Sequence, residues 1–264
     1  MAKTIKLGNG ADVFTNASDP EFANGDSVYG QNGADSIDVS GKSLTVYGDN
    51  GNDSLSVSGE GSLTGGPDGN VVDGGLGDDA IEVNGFGNTV IGGKGADSIT
   101  SYFVQSDRIG DRFYTPGNTL SGGKGMDSFQ VVNSSDLIVD IYKSPELDPG
   151  GSYTQVTDGM VVQGVFDVIT DYQAGERIDI DASVKTNIVS LDSYGPDHLH
   201  LALADDSYAV LKGTYNPEGS FSVGAGFDSL LVWDSPQGDS SGPSNGYEGA
   251  LCILATDPNS LMVV

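Results

Sequence analysis

From residue 7 to residue 139 the apolar positions neither alternate continuously nor return at a helical spacing. They recur as one column in a frame of nine. Nonapeptide units tile 21–56, 65–100 and 113–139, and the eighth position of each is apolar: Val28, Ile37, Val46, Leu55, Val72, Ile81, Val90, Ile99, Leu120, Phe129 and Ile138, with Phe14 in an earlier unit. Most are β-branched or aromatic, side chains that suit a pleated, half-buried surface. One inward residue in nine predicts three-residue strands between tight loops. Such strands are marginal alone and bury their faces only by stacking on neighbours.

The loops carry the second pattern. Six segments read alike: Leu7–Thr15 (LGNGADVFT), Gly30–Asp38 (GQNGADSID), Gly48–Ser56 (GDNGNDSLS), Gly74–Glu82 (GGLGDDAIE), Gly92–Thr100 (GGKGADSIT) and Gly122–Gln130 (GGKGMDSFQ). Their sixth-position aspartates are Asp12, Asp35, Asp53, Asp79, Asp97 and Asp127, separated by 23, 18, 26, 18 and 30 residues. The underlying step is 18, two loops and two strands, with extra residues near 16–20, 57–64 and 101–112. That step predicts a two-sided parallel roll with all six strong loops stacked on one side. The opposite loops carry Asp26, Leu44, Asn70, Asn88, Asn118 and Asp136 at position six and are expected to bind metal poorly.

From Asp140 the nonapeptides stop. Residues 144–160 read as a loop rich in Pro, Gly and Thr, and 235–249 as another. Val165–Asp181 alternates around a turn at Ala174–Gly175, and further strands are expected at 198–204, 207–213, 228–234 and 249–255. The fold class is therefore all-β: a parallel β-roll over 1–139, then an antiparallel β domain over 140–264 that caps one end. A solenoid needs such a cap, because its last strand is otherwise an open edge. The other end has only residues 1–6 to cover it. These either pair with the first turn or dock on the acidic surface of a second copy, and self-association is expected on the latter reading.

Composition sharpens this picture. The chain has 264 residues, with 38 acids against 11 Lys and Arg, and a formal charge of −27. Thirty-one of the acids are Asp and 40 residues are Gly. A charge so negative argues against nucleic acid and anionic lipid surfaces as partners. No apolar run reaches the roughly 20 residues of a membrane span, and no Sec-type signal peptide is visible at the N-terminus. The single Cys252 excludes a disulfide framework and cysteine-based zinc sites.

Gly and Asp together point to calcium, which takes six to eight oxygen ligands from carboxylates, carbonyls and water. Glycine lets a loop turn its carbonyls inward, and a short Asp adds charge beside them. One loop cannot fill the shell, but two stacked loops can. Six loops make five intervals, hence about five interior Ca2+ sites held by Asp12, Asp35, Asp53, Asp79, Asp97 and Asp127. Without metal the stacked carboxylates repel, so folding and calcium binding are expected to be one process.

The repeat G-G-x-G-x-D-x-U-x over 7–139 resembles the calcium-binding nonapeptides of the RTX, or haemolysin-type, secreted proteins. Phe166–Asp181 is similar to the D-x-I-x-D-F-x-x-G-x-D-x-I-D segment that follows such repeats: Asp167, Ile169, Asp171, Tyr172, Gly175, Ile178 and Asp179 fit, and Arg177 replaces an acidic position. The stretch 228–264, with Leu230–Asp234 as its strand, looks like the C-terminal region of that family. Its ending, DPNSLMVV over 257–264, resembles the acid-then-apolar end of a type I secretion signal. A terminal LMVV equally reads as a buried edge strand. The resemblance implies export by a three-component ABC-transporter channel and an extracellular or cell-surface location. It implies no activity, because the first repeat starts at Leu7.

Other chemistry is weak. His198 and His200 share a strand face but lack a third histidine or an H-E-x-x-H. There is no G-x-S-x-G, and the glycine loops at Lys94 and Lys124 are not P-loops, since Gly follows each Lys. Cys252 reads as a small core residue, and Trp233 as core rather than a sugar platform. Arg108 and Arg112 lie among Tyr102, Phe103, Phe113 and Tyr114 in the longest insertion, as a lid or a contact surface. The expected protein is a secreted, calcium-dependent structural or adhesive protein without catalysis, able to assemble into a layer, filament or matrix. The alternatives are a calcium-dependent carbohydrate- or surface-binding module, and a hydrolase with an unfamiliar site in 140–264.

Overall fold

The computed structural model describes residues 2–19, 21–59, 66–104, 117–134, 140–142, 161–163, 166–180, 188–195, 198–203, 208–217, 219–233, 249–254, 257–261 and 263. Strands β1 (Thr4–Lys6), β3 (Ser27–Tyr29), β5 (Thr45–Tyr47), β7 (Val71–Leu76), β9 (Thr89–Lys94) and β11 (Thr119–Lys124) pair in parallel, in that order, along one sheet. Strands β2 (Val13–Thr15), β4 (Ser36–Ser40), β6 (Ser54–Ser58), β8 (Ala80–Asn84), β10 (Ser98–Val104) and β12 (Ser128–Ser134) do the same in a second sheet. The chain passes from one sheet to the other at every loop, so each pair of strands is one turn of a coil. The register holds: Phe14, Ile37, Leu55, Ile81, Ile99 and Phe129 are successive partners across the second sheet.

The apolar column is the core. Val28, Ile37, Val46, Leu55, Val72, Val90, Ile99 and Leu120 are fully or almost fully buried. The second sheet also buries a second row two residues further on, Val39, Val57, Val83, Ser101 and Val131. This row lengthens β4, β6 and β8 to five residues, where a single inward position predicts three. At the open end Phe22, which follows the first insertion, packs edge-on against Phe14 with centroids 5.4 Å apart. Residues 4–6 pair with the first turn through β3, and Lys3 forms ion pairs with Asp19 and Glu21.

The parallel ladder runs past residue 139. Strands β15 (Asp167–Ile169) and β16 (Arg177–Ile180) pair in parallel with β11 and β12, forming one more turn of the coil from the segment that follows the repeats. The alternation in 165–181 serves both sheets rather than a hairpin. Beyond it β22 (Gly249–Ile253) adds in parallel to β15, and β21 (Asp228–Trp233), β19 (Tyr208–Asn216) and β20 (Ser220–Val223) continue the sheet antiparallel. Then come β14 (Val161–Gln163), β13 (Asp140–Tyr142), β18 (His198–Leu203) and β17 (Ile188–Gly195), also antiparallel. Strands at 140–142, 161–163, 188–195 and 220–223 carry no pattern strong enough to predict from sequence. The large insertion with Arg108 and Arg112, the loop at Asp136 and Ile138, and the loops at 144–160 and 235–248 lie outside the described residues. Among the described residues no helix is long and apolar enough to cross a membrane.

Candidate metal-binding site

The six aspartates predicted to share one side do so. Each main-chain N–H of the column donates to the Oδ1 of the next aspartate: Asp12 to Asp35 (2.8 Å), Asp35 to Asp53 (2.7 Å), Asp53 to Asp79 (2.8 Å), Asp79 to Asp97 (2.9 Å) and Asp97 to Asp127 (2.9 Å). One oxygen of each carboxylate is thereby fixed by the backbone of the preceding turn.

The other oxygen is not. Oδ2 of Asp35, Asp53, Asp79, Asp97 and Asp127 is buried and has no hydrogen-bond partner. At Asp35, Asp53, Asp79 and Asp97 it faces a main-chain carbonyl. A Cβ on Gly30 would lie 2.6 Å from Asp35 Oδ2 and 2.6 Å from the Gly48 carbonyl oxygen. At Gly92 the same atom would lie 2.6 Å from Asp97 Oδ2 and 2.6 Å from the Gly122 oxygen. Gly48 with Asp53 and Gly74, and Gly74 with Asp79 and Gly92, repeat the arrangement. These four intervals, at Asp35, Asp53, Asp79 and Asp97, thus set a carboxylate oxygen and a carbonyl oxygen around a space only glycine leaves free. Acceptor faces acceptor, which is stable only with a cation or a proton between them. Asp12 differs, because its Oδ2 accepts from the Gly8 N–H at 2.7 Å.

The loops owe this shape to their fourth position. Gly33, Gly51, Gly77, Gly95 and Gly125 have φ between +128° and +152°, and a Cβ at any of them would strike the carbonyl of the preceding turn.

Burial and like charge raise the column's carboxyls. Desolvation, then the neighbours Asp97, Asp53 and Asp78, push Asp79 up to about 6. Desolvation, then Asp127 and Asp78, push Asp97 up to about 6. Asp53 moves the same way, again through burial first, then Asp35 and Asp49. The donor set is hard oxygen, one carboxylate with carbonyls at each interval, and it fits calcium rather than a metal that needs imidazole or thiolate. Consistent with one acid per turn, no group of three or more His, Cys, Asp or Glu side chains converges among the described residues.

The opposite column is built from amides. Asn70 Oδ1 accepts from the Leu44 N–H, Asn88 Oδ1 from Asn70 and Asn118 Oδ1 from Asn88, at 2.9–3.1 Å. The second atom is now a donor: Asn70 Nδ2 reaches the Gly41 carbonyl at 3.1 Å and Asn118 Nδ2 the Gly85 carbonyl at 2.8 Å. Asn88 Nδ2 has no partner. An amide answers the carbonyl that a carboxylate repels, so the turns at Asn70 and Asn118 close without an ion. Asp26 is satisfied by the N–H groups of Lys3 and Ala23. Asp68, also on this side, has Lys42 Nζ 3.9 Å away.

Two acids outside the predicted ligand set extend the columns. Asp167 ends the amide column, accepting from the Asn118 N–H at 2.6 Å, and burial pushes its carboxyl up to about 6. Glu176 lies one step beyond Asp127 in the acidic column. Burial first, then Asp127 and Asp171, push it up to about 7. Its 49-residue distance from Asp127 breaks the nine-residue frame, and the pairing of β12 with β16 is what puts Glu176 at position six. The remaining candidates do not join a site. Trp233 and Cys252 are fully buried core residues, with burial raising the Cys252 thiol. His198 and His200 lie in β18, and their side chains lie outside the described residues. No family model matches the chain, and neither does any curated protein sequence.

Proposed function

We propose that this chain is a secreted, calcium-dependent structural or adhesive protein of the RTX type, whose parallel coil folds when calcium fills the intervals of its aspartate column, and that it performs no catalytic step. One observation carries the reading: five buried Oδ2 atoms, from Asp35, Asp53, Asp79, Asp97 and Asp127, lack any partner, and those of Asp35 to Asp97 face the glycine carbonyl of the next turn. A coil that strands this many buried carboxylate oxygens is poorly stable until a divalent ion is shared between them. Calcium then supplies the missing bond at each step and neutralises the column.

Export through a type I channel suits such a chain. Low cytosolic calcium keeps the column empty and the polypeptide threadable, and higher extracellular calcium drives folding after passage. The segment 257–263 suits the same order of events. Leu261 and Val263 pack against the core, and Val263 bridges Ile178 in parallel, so a receptor reads this segment as an extended peptide only before the coil forms. The proposed role is then mechanical or adhesive: a rigid acidic rod outside the cell, with self-association through calcium as its assembly step.

The test is a calcium titration of the full chain from chelator, followed by far-UV circular dichroism and by calorimetry. A largely unfolded chain that gains β-structure with about five bound ions is expected. Native dichroism in chelator, or a folded chain that binds no calcium, overturns the reading. Light scattering with and without calcium then separates a self-assembling structural protein from a monomeric binding module.

A further inference from the structure

We propose that the Asn9–Gly10 peptide is a self-modification site: in the folded chain the Gly10 main-chain nitrogen closes on the Asn9 side-chain amide, and water opens the resulting cyclic imide to aspartate or isoaspartate. The other Asn–Gly pairs of the coil are held back from this reaction by the bonds between turns. The inference does not depend on what fills the aspartate column.

The sequence repeats the reactive pair. Asn is followed by Gly at 9–10, 24–25, 32–33, 50–51, 84–85 and 245–246, the last outside the described residues. Glycine brings no side chain to hinder ring closure. The ring forms only if the glycine nitrogen can reach the asparagine Cγ and shed its proton, so an N–H tied to an acceptor is a blocked nucleophile.

In four of the described pairs the nitrogen is tied to the next turn. The Gly25 N–H donates to the Lys42 carbonyl at 3.0 Å, Gly33 to Asn50 at 2.9 Å, Gly51 to Leu76 at 2.7 Å and Gly85 to Tyr102 at 2.9 Å. Among the described residues the Gly10 N–H has no acceptor. Space divides the same way. A Cβ on Gly10 would meet nothing within 4 Å, whereas one on Gly33 would strike the Gly10 carbonyl, one on Gly51 the Gly33 carbonyl and one on Gly85 the Asp68 carboxylate. Asn9 and Gly10 are both exposed to water.

Asn9 and Asn32 isolate the difference. Asn9 Oδ1 accepts from Asn32 Nδ2 at 2.7 Å, and Asn32 Oδ1 accepts from Asn50 Nδ2 at 3.1 Å. Each amide thus carries a donor on the oxygen that becomes negative as nitrogen attacks. Only at Asn9 is the attacking nitrogen untied. The step balances without oxidant or cofactor. The Gly10 N–Asn9 Cγ bond forms, the Cγ–Nδ2 bond breaks, and the N–H proton leaves with ammonia. Water then cleaves one of the two imide C–N bonds: at Cγ it yields aspartate, at the main-chain carbonyl it yields isoaspartate, with one more methylene in the backbone. Either product adds a negative charge to the first loop, and its carboxylate still offers an oxygen to Asn32 Nδ2. The first loop gains charge with age while the inner loops keep their amides.

The experiment ages the full chain, folded in calcium, at mildly alkaline pH beside the same chain in guanidinium chloride. Each asparagine is read by fragment-ion mass spectrometry after digestion in acid. In the folded chain Asn9 is expected to show the mass gain of an NH2-to-OH exchange at least about tenfold faster than Asn24, Asn32, Asn50 or Asn84, because their N–H groups react only when the turns open. In denaturant the five should convert at rates of the same order. Gly10→Ala, whose Cβ has room, should leave the circular dichroism unchanged and slow the reaction at Asn9 several-fold. Equal rates at Asn9 and Asn32 in the folded chain overturn the proposal. So does a lead of Asn9 that persists in denaturant, since the local sequence and not the fold would then set it. A chain that folds without calcium is aged in the same way, so failure of the aspartate-column reading is a separate result.

Discussion

Replacing Asp53, Asp79 and Asp97 together by asparagine is expected to give a coil that folds without calcium, and replacing them by alanine is not. Each asparagine keeps Oδ1 for the N–H of the preceding turn, the bonds of 2.7, 2.8 and 2.9 Å from Asp35, Asp53 and Asp79. Each also turns a donor toward the carbonyl of Gly74, Gly92 or Gly122, where Oδ2 now faces an acceptor. Asn70 and Asn118 already close their own turns in this way. The carboxyls of Asp79 and Asp97 stand at about 6 against an ordinary 3.8. At about 1.4 kcal/mol per pKa unit, ionisation at pH 7 costs up to about 3 kcal/mol at each. A new amide hydrogen bond adds about 1 kcal/mol. Allowing for solvent that relaxes around the loops, the three changes gain of order 3–9 kcal/mol, comparable with the whole stability of a domain. Alanine also removes the charge, but it strands three buried N–H groups at about 1–3 kcal/mol each. The assay is far-UV circular dichroism and urea unfolding in chelator, with calorimetry to count the ions lost. If the asparagine triple is no more structured in chelator than the parent, or if alanine performs as well, the acceptor-against-acceptor account of this column is wrong.

Three further outcomes are expected. Asp167 is buried with its carboxyl raised to about 6, so it binds a proton more tightly when folded; its contribution is present below the unfolded value near 3.9 and is lost as pH rises through 6. Asp167→Asn should therefore stabilise the calcium-loaded protein at pH 7 by about 1–3 kcal/mol and flatten its stability between pH 4 and 6; an unchanged urea midpoint at pH 7 would contradict this. Gly95→Ala places a Cβ against the Gly77 carbonyl at a φ of +142° and should cost at least about 2 kcal/mol even with calcium bound; thermal melts of the loaded protein check it. Magnesium should neither fold the chain nor compete at equal concentration, because it needs an octahedral shell and holds its water; magnesium-induced dichroism equal to that of calcium would count against the site chemistry.

Much of the coil was legible because its two determinants are periodic. Steps of nine within Val28–Leu55, Val72–Ile99 and Leu120–Phe129, and Asp12 to Asp127 in steps built on 18, mark which residue faces the core and which side holds the acids. The second inward row was hidden, since Val39, Val57 and Val83 share their frame position with Ser101, and mixed chemistry hides a column from a pattern search. The last turn was hidden for a related reason. Its loop, Thr170 to Glu176, has one glycine where the repeats have two or three, and a Glu where they have an Asp. What identifies it is pairing, Leu120 with Ile169 and Phe129 with Ile178, and pairing is not written in composition. In the antiparallel part the strands with strong apolar runs, such as Leu230–Trp233, stand out. Strand β20 (SFSV) does not, because it is four residues long with two serines.

The two columns divide one structural problem between two chemistries. From Asp35 to Asp127, and from Asn70 to Asp167, the position-six side chains tie to an N–H of the turn before, and both Asp and Asn do so with Oδ1. They differ only in the atom left over. Where it is an amide nitrogen, at Asn70 and Asn118, the turn closes within the protein. Where it is Oδ2, at Asp35 through Asp127, the turn stays open to a cation. Amides on both sides would let the coil close regardless of metal, and acids on both sides would leave no column to hold the register while ions arrive. With one of each, the amide side aligns the turns and the acidic side decides whether they stay together. Calcium dependence then belongs to the difference between NH2 and O⁻ at one atom per turn, and the glycines only make room for it.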